Sequence, residues 1–281
     1  MKRALAALVA IVFLAACGSP LAKAETPQQA LQAAATRSTQ LKSAKFDFTG
    51  AVTVTLPAAL AQAFGQGSAS SSGTMSVNLG GTGEAQFPDR YHANASVKMG
   101  GLSLATEAIV ANGKAYVKNP MSGKWEASNQ SQGLSQLGQP DPLSYEQLLK
   151  NVKSIKDLGD TSLNGAAVHH YQLTPDKDKL LESMQSSSDK NAQALAAMKQ
   201  VLDSGTMTLE VWFGKDDHLV RKLSTDANYT VDLNQLMGSL GSAGSQSGRL
   251  PSGSTMHATA HMVINFHDFD TPVTISIPTV G

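Results

Sequence analysis

The stretch Thr255-Met-His-Ala-Thr-Ala-His-Met-Val-Ile-Asn-Phe-His267 alternates between apolar and polar residues over most of its length. Successive side chains of a β-strand point to opposite faces of the sheet. The alternation therefore predicts a long strand with one apolar and one polar face. The apolar face would carry Met256, Ala258, Ala260, Met262, Ile264 and Phe266.

The same two-residue period recurs through most of the chain. Asn112-Gly113 and Asn164-Gly165 each separate two alternating runs, and Asn-Gly is a strong signal for a tight hairpin turn. We predict strands over residues 46–56, 75–79, 91–99, 102–111, 114–118, 124–126, 152–158, 167–173, 206–213, 219–226, 229–233, 255–269 and 273–277. Strands joined by short turns predict a predominantly antiparallel sheet with one covered and one solvated face.

Two dipeptides mark helix starts. Thr26-Pro27 places a helix N-cap before a proline at the first helical position, and the helix would end near Ser43. Thr174-Pro175 begins a second helical stretch that extends towards residue 202, with a break in the polar run 186–191. A capping-box pattern predicts a short helix over 144–150. The order of elements predicts an α+β fold, with residues 27–281 as a single domain.

The N-terminal residues have the features of an export signal. Lys2 and Arg3 precede an apolar run over 4–15, which is too short to span a bilayer as a helix. Leu14-Ala-Ala-Cys17 resembles a bacterial lipobox. In such signals the cysteine receives a lipid with palmitate-type acyl chains and becomes the new N-terminus. We expect residues 1–16 to be the signal peptide, Cys17 the lipid anchor and 17–26 a tether. The alternative is an ordinary signal peptide with a chance cysteine.

Composition narrows the function classes. Removal of the signal peptide would leave 20 basic and 22 acidic side chains, and no long basic stripe is visible, which argues against nucleic acid as a partner. Cys17 is the only cysteine, so no intramolecular disulfide can form. The domain must be held together by its core, and this length suffices for one. We expect an exported protein that is tethered to the cell membrane and faces outward.

The apolar face of the predicted sheet is rich in small and flexible residues. Small side chains leave volume on the covered side of a wide curved sheet, and Met adapts to irregular neighbours. We therefore expect a hydrophobic cavity that is partly covered by the helices and open to a long apolar ligand. Its predicted lining residues are Phe48, Val52, Val54, Met75, Val77, Ala93, Ala95, Val97, Met99, Leu104, Met207, Leu209, Val211, Met256, Ala258, Ala260 and Met262. The alternative is a filled core that happens to use Met and Ala.

No catalytic or metal motif stands out. His257 and His261 are four residues apart on a predicted strand, about 13 Å, whereas zinc ligands lie about 2 Å from the metal. The glycine-serine run over 241–248 lacks the Gly-x-Ser-x-Gly spacing of a hydrolase. Asp216-Asp217 and the aspartates around residue 269 fall at predicted turns, where acids commonly occur. We expect a protein without enzymatic activity, cofactor or metal.

Three segments of the second half resemble a family of exported lipoproteins. They are the strand Gly165-Ala-Ala-Val-His-His-Tyr-Gln-Leu-Thr174, the hairpin that begins Glu210-Val-Trp-Phe-Gly214 and continues in His218-Leu-Val-Arg-Lys222, and the closing Phe266-His-Asp-Phe-Asp-Thr-Pro-Val-Thr-Ile-Ser-Ile-Pro278. Together with the lipobox, these phrases are similar to the LppX/LprAFG group of actinobacterial lipoproteins. That group is related in fold to the LolA/LolB lipoprotein carriers.

The resemblance implies a half-open β-barrel, LolA-like, whose helices cover the concave face. It further implies binding, and transport, of a lipid or acylated molecule in the cell envelope. The partners would be the membrane, through the lipid anchor, the lipid ligand, and a transporter or acceptor protein. It carries no catalytic residues. The alternative function is an envelope sensor or partner-docking module of the same fold without a transported ligand.

Overall fold

The computed structural model of the protein describes residues 25–63, 73–128, 151–187, 192–239 and 250–280. Eleven strands form one antiparallel sheet in the order β6-β5-β4-β3-β2-β1-β11-β10-β9-β8-β7. The strands are β1 (Ser43–Leu56), β2 (Gly73–Gln86), β3 (Arg90–Met99), β4 (Leu102–Ala111), β5 (Lys114–Lys118), β6 (Trp125–Ser128), β7 (Val152–Leu163), β8 (Ala166–Pro175), β9 (Gly205–Gly214), β10 (Val220–Asp232) and β11 (Thr255–His267).

The sheet is open, because within the described residues its two outer strands, β6 and β7, pair with one neighbour each. The predicted stretch 255–267 lies near the middle, as β11, between β1 and β10. Both Asn-Gly pairs form the predicted tight turns. Asn112 and Gly113 have φ of 54° and 72°, and Asn164 and Gly165 have φ of 51° and 83°. These are the positive values that a type I′ hairpin requires.

The five helices of the described residues are α1 (Pro27–Ser38), α2 (Ala58–Ala63), α3 (Lys177–Ser187), α4 (Ala192–Asp203) and α5 (Leu233–Ser239). The predicted start of α1 is confirmed, since Thr26 caps it and Gln29 completes a capping box. α3 and α4 flank the polar run in which we predicted a break. The predicted helix over 144–150 lies outside the described residues. No described helix is both long and apolar enough to cross a membrane.

Helix α1 packs on one face of the sheet. Its Ala30, Leu31, Ala34 and Ala35 are buried in one cluster with strand residues that share that face, among them Phe46, Val211 and Phe266. This confirms the predicted fold class, an α+β architecture in which a large antiparallel sheet has helical cover. The cluster lies at the end of the sheet where β1 begins and β11 ends, so α1 covers only part of the face.

Three strand predictions were wrong in extent. β7 continues to Leu163 instead of ending at residue 158. β2 continues to Gln86 instead of ending at residue 79, through the glycine-rich run 80–83. β10 is one continuous strand, although we predicted a gap over 227–228. Glycine and Asn disfavour strands in isolation, but here both runs have paired neighbours on either side.

The predicted strand over 273–277 is wrong. Residues 268–280 form no strand; they are a C-terminal strap that crosses the polar side of the sheet. The backbone oxygen of Ile275 accepts from Arg90 Nη1 at 2.9 Å, and its N–H donates to Gln86 Oε1. Side chains therefore supply the hydrogen bonds that a neighbouring strand would have supplied. Ile275 is buried against Ile109, Ala111 and Tyr116.

Candidate ligand-binding face

The strand register places all seventeen predicted lining residues on the same face of the sheet. Three residue pairs show this for β1 and β11: Phe48 with Ile264, Val52 with Ala260, and Val54 with Ala258. In the other strands, too, the residues that pair with this set point to the same side of the sheet. We call this side the apolar face and the other the polar face. The predicted residues of β2, β3, β4, β9 and β11 all lie on the apolar face. That they line a hydrophobic cavity partly covered by the helices stays a prediction.

A row of apolar side chains crosses seven adjacent strands of the apolar face. The register joins these positions side by side, from β4 to β9. The row is Leu102, Met99, Val77, Val52, Ala260, Ala227 and Met207. Since neighbouring strands lie about 4.8 Å apart, six spacings make an apolar track of about 29 Å.

The row is exposed at one end. Leu102 is 53 % exposed, Met99 45 % and Val52 43 %, and Leu104 beside them is 39 % exposed. In contrast, Phe46 and Phe266, on the same face beneath α1, are buried. Contiguous exposed apolar residues on a soluble domain mark a binding surface more often than scattered ones. The exposed region is therefore the candidate ligand-binding face.

Sequence reasoning missed at least four residues of this site. Leu102, Leu79, Gly50 and Ala227 lie on the apolar face but were not among the predicted lining residues. Ala227 was missed because we predicted a gap between strands over 227–228. Leu79 and Leu102 stand two residues from Val77 and Leu104, so the same period could have found them. Gly50 gave no signal because a glycine has no side chain to read as apolar.

The apolar face lacks charge over its central strands. Its positions within 44–56, 73–85, 91–99, 102–110, 205–213, 223–231 and 256–266 hold no Asp, Glu, Lys, Arg or His. The polar side chains there are the hydroxyls of Thr106, Thr225, Tyr91 and Tyr229. Burial raises the pKa of Tyr229 above its ordinary value, so its phenol stays neutral. Burying an unpaired charge is costly, so the face suits an uncharged, apolar partner.

The charged residues of these central ranges lie on the polar face, where histidine side chains contact carboxylates of neighbouring strands. His92 Nε2 lies 2.9 Å from Glu107 Oε1, and His261 Nδ1 lies 2.7 Å from Asp226 Oδ1. His170 contacts Glu210 in the same way and stacks on Trp212, with ring centroids 4.1 Å apart. Hydrogen bonding from Lys118 holds the pKa of Glu107 below its ordinary value.

The histidines do not assemble into a metal site within the part of the chain that the structure describes. No group of three or more His, Cys, Asp or Glu side chains there is placed to hold an ion. The aspartates that we assigned to turns are at turns. Asp217 accepts from the backbone N–H of Leu219, and Asp270, with φ of 55°, accepts from that of Lys42. Cys17 and the signal peptide lie outside the described residues.

Comparison with solved structures finds proteins that are similar to this chain over most of its length. LppX from Mycobacterium tuberculosis is 12% identical, with a TM-score of 0.44, over 89% of this chain and 97% of its own. LprF from Mycobacterium bovis is 15% identical, with a TM-score of 0.42, over 90% and 97%. The LolA superfamily protein NE2245 from Nitrosomonas europaea is 8% identical, with a TM-score of 0.26, over 89% and 95%.

The solved structures to which this chain is similar thus include LppX, LprF and a LolA superfamily protein, which belong to the groups that its motifs resemble. No family model matches the sequence, and no curated protein matches it.

Proposed function

We propose that this protein is an envelope lipoprotein that binds the acyl chain of a lipid on its apolar face and carries that lipid to an acceptor. The observation that supports this most directly is the row from Leu102 to Met207, apolar across seven strands and exposed at one end. Exposed apolar patches of this kind mark sites where a protein binds an apolar ligand, a membrane or another protein.

Hydrophobic burial alone supplies the driving force. Each buried CH₂ group contributes about 0.8 kcal/mol, so a chain of about 16 carbons could be held without a specific polar contact. Because the central face has no charged side chain, a charged headgroup would have no counterion there. We therefore expect the acyl chain to lie on the face and a charged headgroup to remain in water.

The anchor restricts where the lipid can be loaded. If Cys17 carries a lipid, the tether of about nine residues reaches at most about 30 Å from the membrane. The carrier would load or unload at the membrane that holds it. The other end of the route would be a transporter or acceptor protein that comes within this distance.

Uptake of a fluorescent fatty-acyl probe by a soluble form that begins at Gly18 tests the proposal. Ala260→Trp places a bulky ring in the middle of the row, and we expect it to reduce uptake at least about tenfold. Thr259→Trp is the matched control, since the neighbouring residue faces the polar side and is exposed. Circular dichroism would confirm that both variants fold.

Two results would count against transport. One is a folded protein that takes up no probe and brings no lipid through purification, as judged by native mass spectrometry. That result would favour the sensor or docking module. The other is equal uptake by the Ala260→Trp and Thr259→Trp variants, which would show that the acyl chain does not lie on the apolar face.

A further inference from the structure

An open recess of about 540 Å³ lies on the polar face, over β2, β3 and β4. Its polar-face lining residues are Gly80, Thr82, Asn94, Ser96, Ala105, Glu107 and Lys118, and the turn that contains Asn119, Pro120 and Gly123 also borders it. Its volume is in the range of pockets that hold small ligands. The recess is on the opposite side of the sheet from the proposed acyl site.

The floor of the recess is made by small residues in register. Gly80 of β2 lies beside Ser96 of β3, which lies beside Ala105 of β4. A Cβ on Gly80 would meet nothing closer than the backbone oxygen of Phe48, at 3.7 Å. The space above Gly80 is therefore empty because the side chain is missing, and a ligand can approach the backbone there.

Polar side chains form one wall. Thr82, Asn94 and Glu107 are direct neighbours across the same three strands. Each lies two residues along its strand from a floor residue, so its side chain points to the same face. Glu107 is held in place by Lys118 Nζ, at 3.0 Å from Oε2, and by His92 Nε2, at 2.9 Å from Oε1. The wall thus offers a hydroxyl, an amide and a fixed carboxylate within the reach of one small ligand.

The two charged side chains at the recess, Glu107 and Lys118, indicate which class of ligand it can bind. The Glu107 carboxylate disfavours a phosphate or another anion, and the Lys118 ammonium beside it disfavours a metal ion. A neutral ligand that both donates and accepts hydrogen bonds matches the wall at every position. Hydroxyl groups on adjacent carbons of a sugar have this property.

We propose that this recess binds a saccharide unit of a glycan. None of the described residues that line the recess is a Val, Leu, Ile, Met or Phe, so it offers no side chains that would hold an acyl tail, and we assign the saccharide unit to a soluble or polymeric glycan instead of a lipid headgroup. Tethered to a membrane, the protein would then contact envelope glycans with one face and lipid with the other. The saccharide site does not depend on the proposed acyl site.

Saturation-transfer NMR on the full chain, in a detergent without a sugar headgroup, tests this. The probes are glucose, mannose, galactose and N-acetylglucosamine, each as the free sugar and as the methyl glycoside. We expect at least one to bind with a Kd of about 1 mM or tighter. Gly80→Leu fills the recess without a backbone clash and should abolish the signal. Asn94→Ala should weaken binding about two- to tenfold by removal of one hydrogen-bonding group.

Gly50→Leu is the matched control. It adds the same side chain to β1 on the opposite face, where a Cβ would have ordinary contacts of 3.6 Å or more. The Gly50→Leu variant should keep the sugar signal and lower acyl-probe uptake. The Gly80→Leu variant should lose the sugar signal and keep acyl-probe uptake. The proposal is overturned if no probe binds the wild type, or if Gly80→Leu binds as well as wild type does. If the wild type binds a sugar but takes up no acyl probe, the proposed acyl site is wrong and the saccharide site is still supported.

Discussion

The ring of Phe48 occupies the space that a side chain at position 81 would need. A Cβ added to Gly81 would come within 2.6 Å of Phe48 Cζ and within 2.0 Å of the backbone oxygen of Asn94. Gly83 has the same relationship with Phe46, whose Cζ would lie 2.3 Å away. The two glycines of β2 thus allow two aromatic rings of β1 to lie across the neighbouring strand, at the border between the core under α1 and the candidate ligand-binding face.

We expect Gly81→Ala to destabilise the protein by about 1–3 kcal/mol or more, because overpacking forces backbone shifts. The adjacent Gly80→Ala should be neutral, or stabilising by up to about 1 kcal/mol, since space is open there and alanine lowers the entropy of the unfolded chain. Urea denaturation of both variants measures the difference. Equal free energies of unfolding for the two would contradict the packing described for Phe48.

The C-terminal strap should contribute to stability through Ile275, which is 2 % exposed. We expect Ile275→Ala to cost about 2–5 kcal/mol, as for other large-to-small changes at buried sites. Ile277→Ala, two residues further and 42 % exposed, is the matched control and should cost less than about 1 kcal/mol. Hydrogen exchange at the Ile275 amide should speed up in the first variant. A free energy of unfolding unchanged by Ile275→Ala would mean that the strap is not held as described.

Asp270 should make the free energy of unfolding depend on pH in the acidic range. The backbone N–H of Lys42 and then the guanidinium of Arg37 lower its pKa below the ordinary 3.8. Folding therefore favours the ionised carboxylate. This contribution is complete above the unfolded pKa and is lost as the pH falls through the lower, folded one.

Consequently, Asp270→Asn should be less stable than wild type at pH 7, and the difference should shrink as the pH falls below 3.8 and through the lower pKa of the folded state, where wild type also loses the charge. Denaturation curves at pH 7 and in acid check this. A difference in unfolding free energy that is the same at both would show that the Asp270 charge contributes nothing.

Alternation in the sequence predicted which residues share a face, because side-chain direction along a strand is a local property. Met256, Ala258 and Ala260 do share a face with Val52 and Val54, which are far away in the chain, but the pairing of β1 with β11 is seen only in the structure. Alternation also misled us at 273–277. There the apolar residues have the same two-residue spacing, but the hydrogen bonds of Ile275 come from the side chains of Arg90 and Gln86, which no local pattern reveals.

The extent of the exposed face could not be predicted either. Val52 and Phe46 have the same place in the period, yet α1 covers Phe46 and leaves Val52 43 % exposed. Helix cover depends on where Leu31 and its neighbours pack in three dimensions. The strand residues Gly80 to Gly83 of β2 were also missed, because glycine has a low strand propensity. Gly81 and Gly83 leave room for the rings of Phe48 and Phe46, which come from a different strand, so the sequence around the glycines does not reveal this packing.

The most direct test of the central proposal is photocrosslinking with a palmitate analogue that carries a diazirine near the end of its chain. After irradiation, peptide mass spectrometry would locate the label in the folded protein. The proposal predicts label on Val52, Met99 and Leu102, on the apolar face. Label on their strand neighbours Thr53, Lys98 and Ser103, which point to the polar face, or no label above that on unfolded protein, would contradict it.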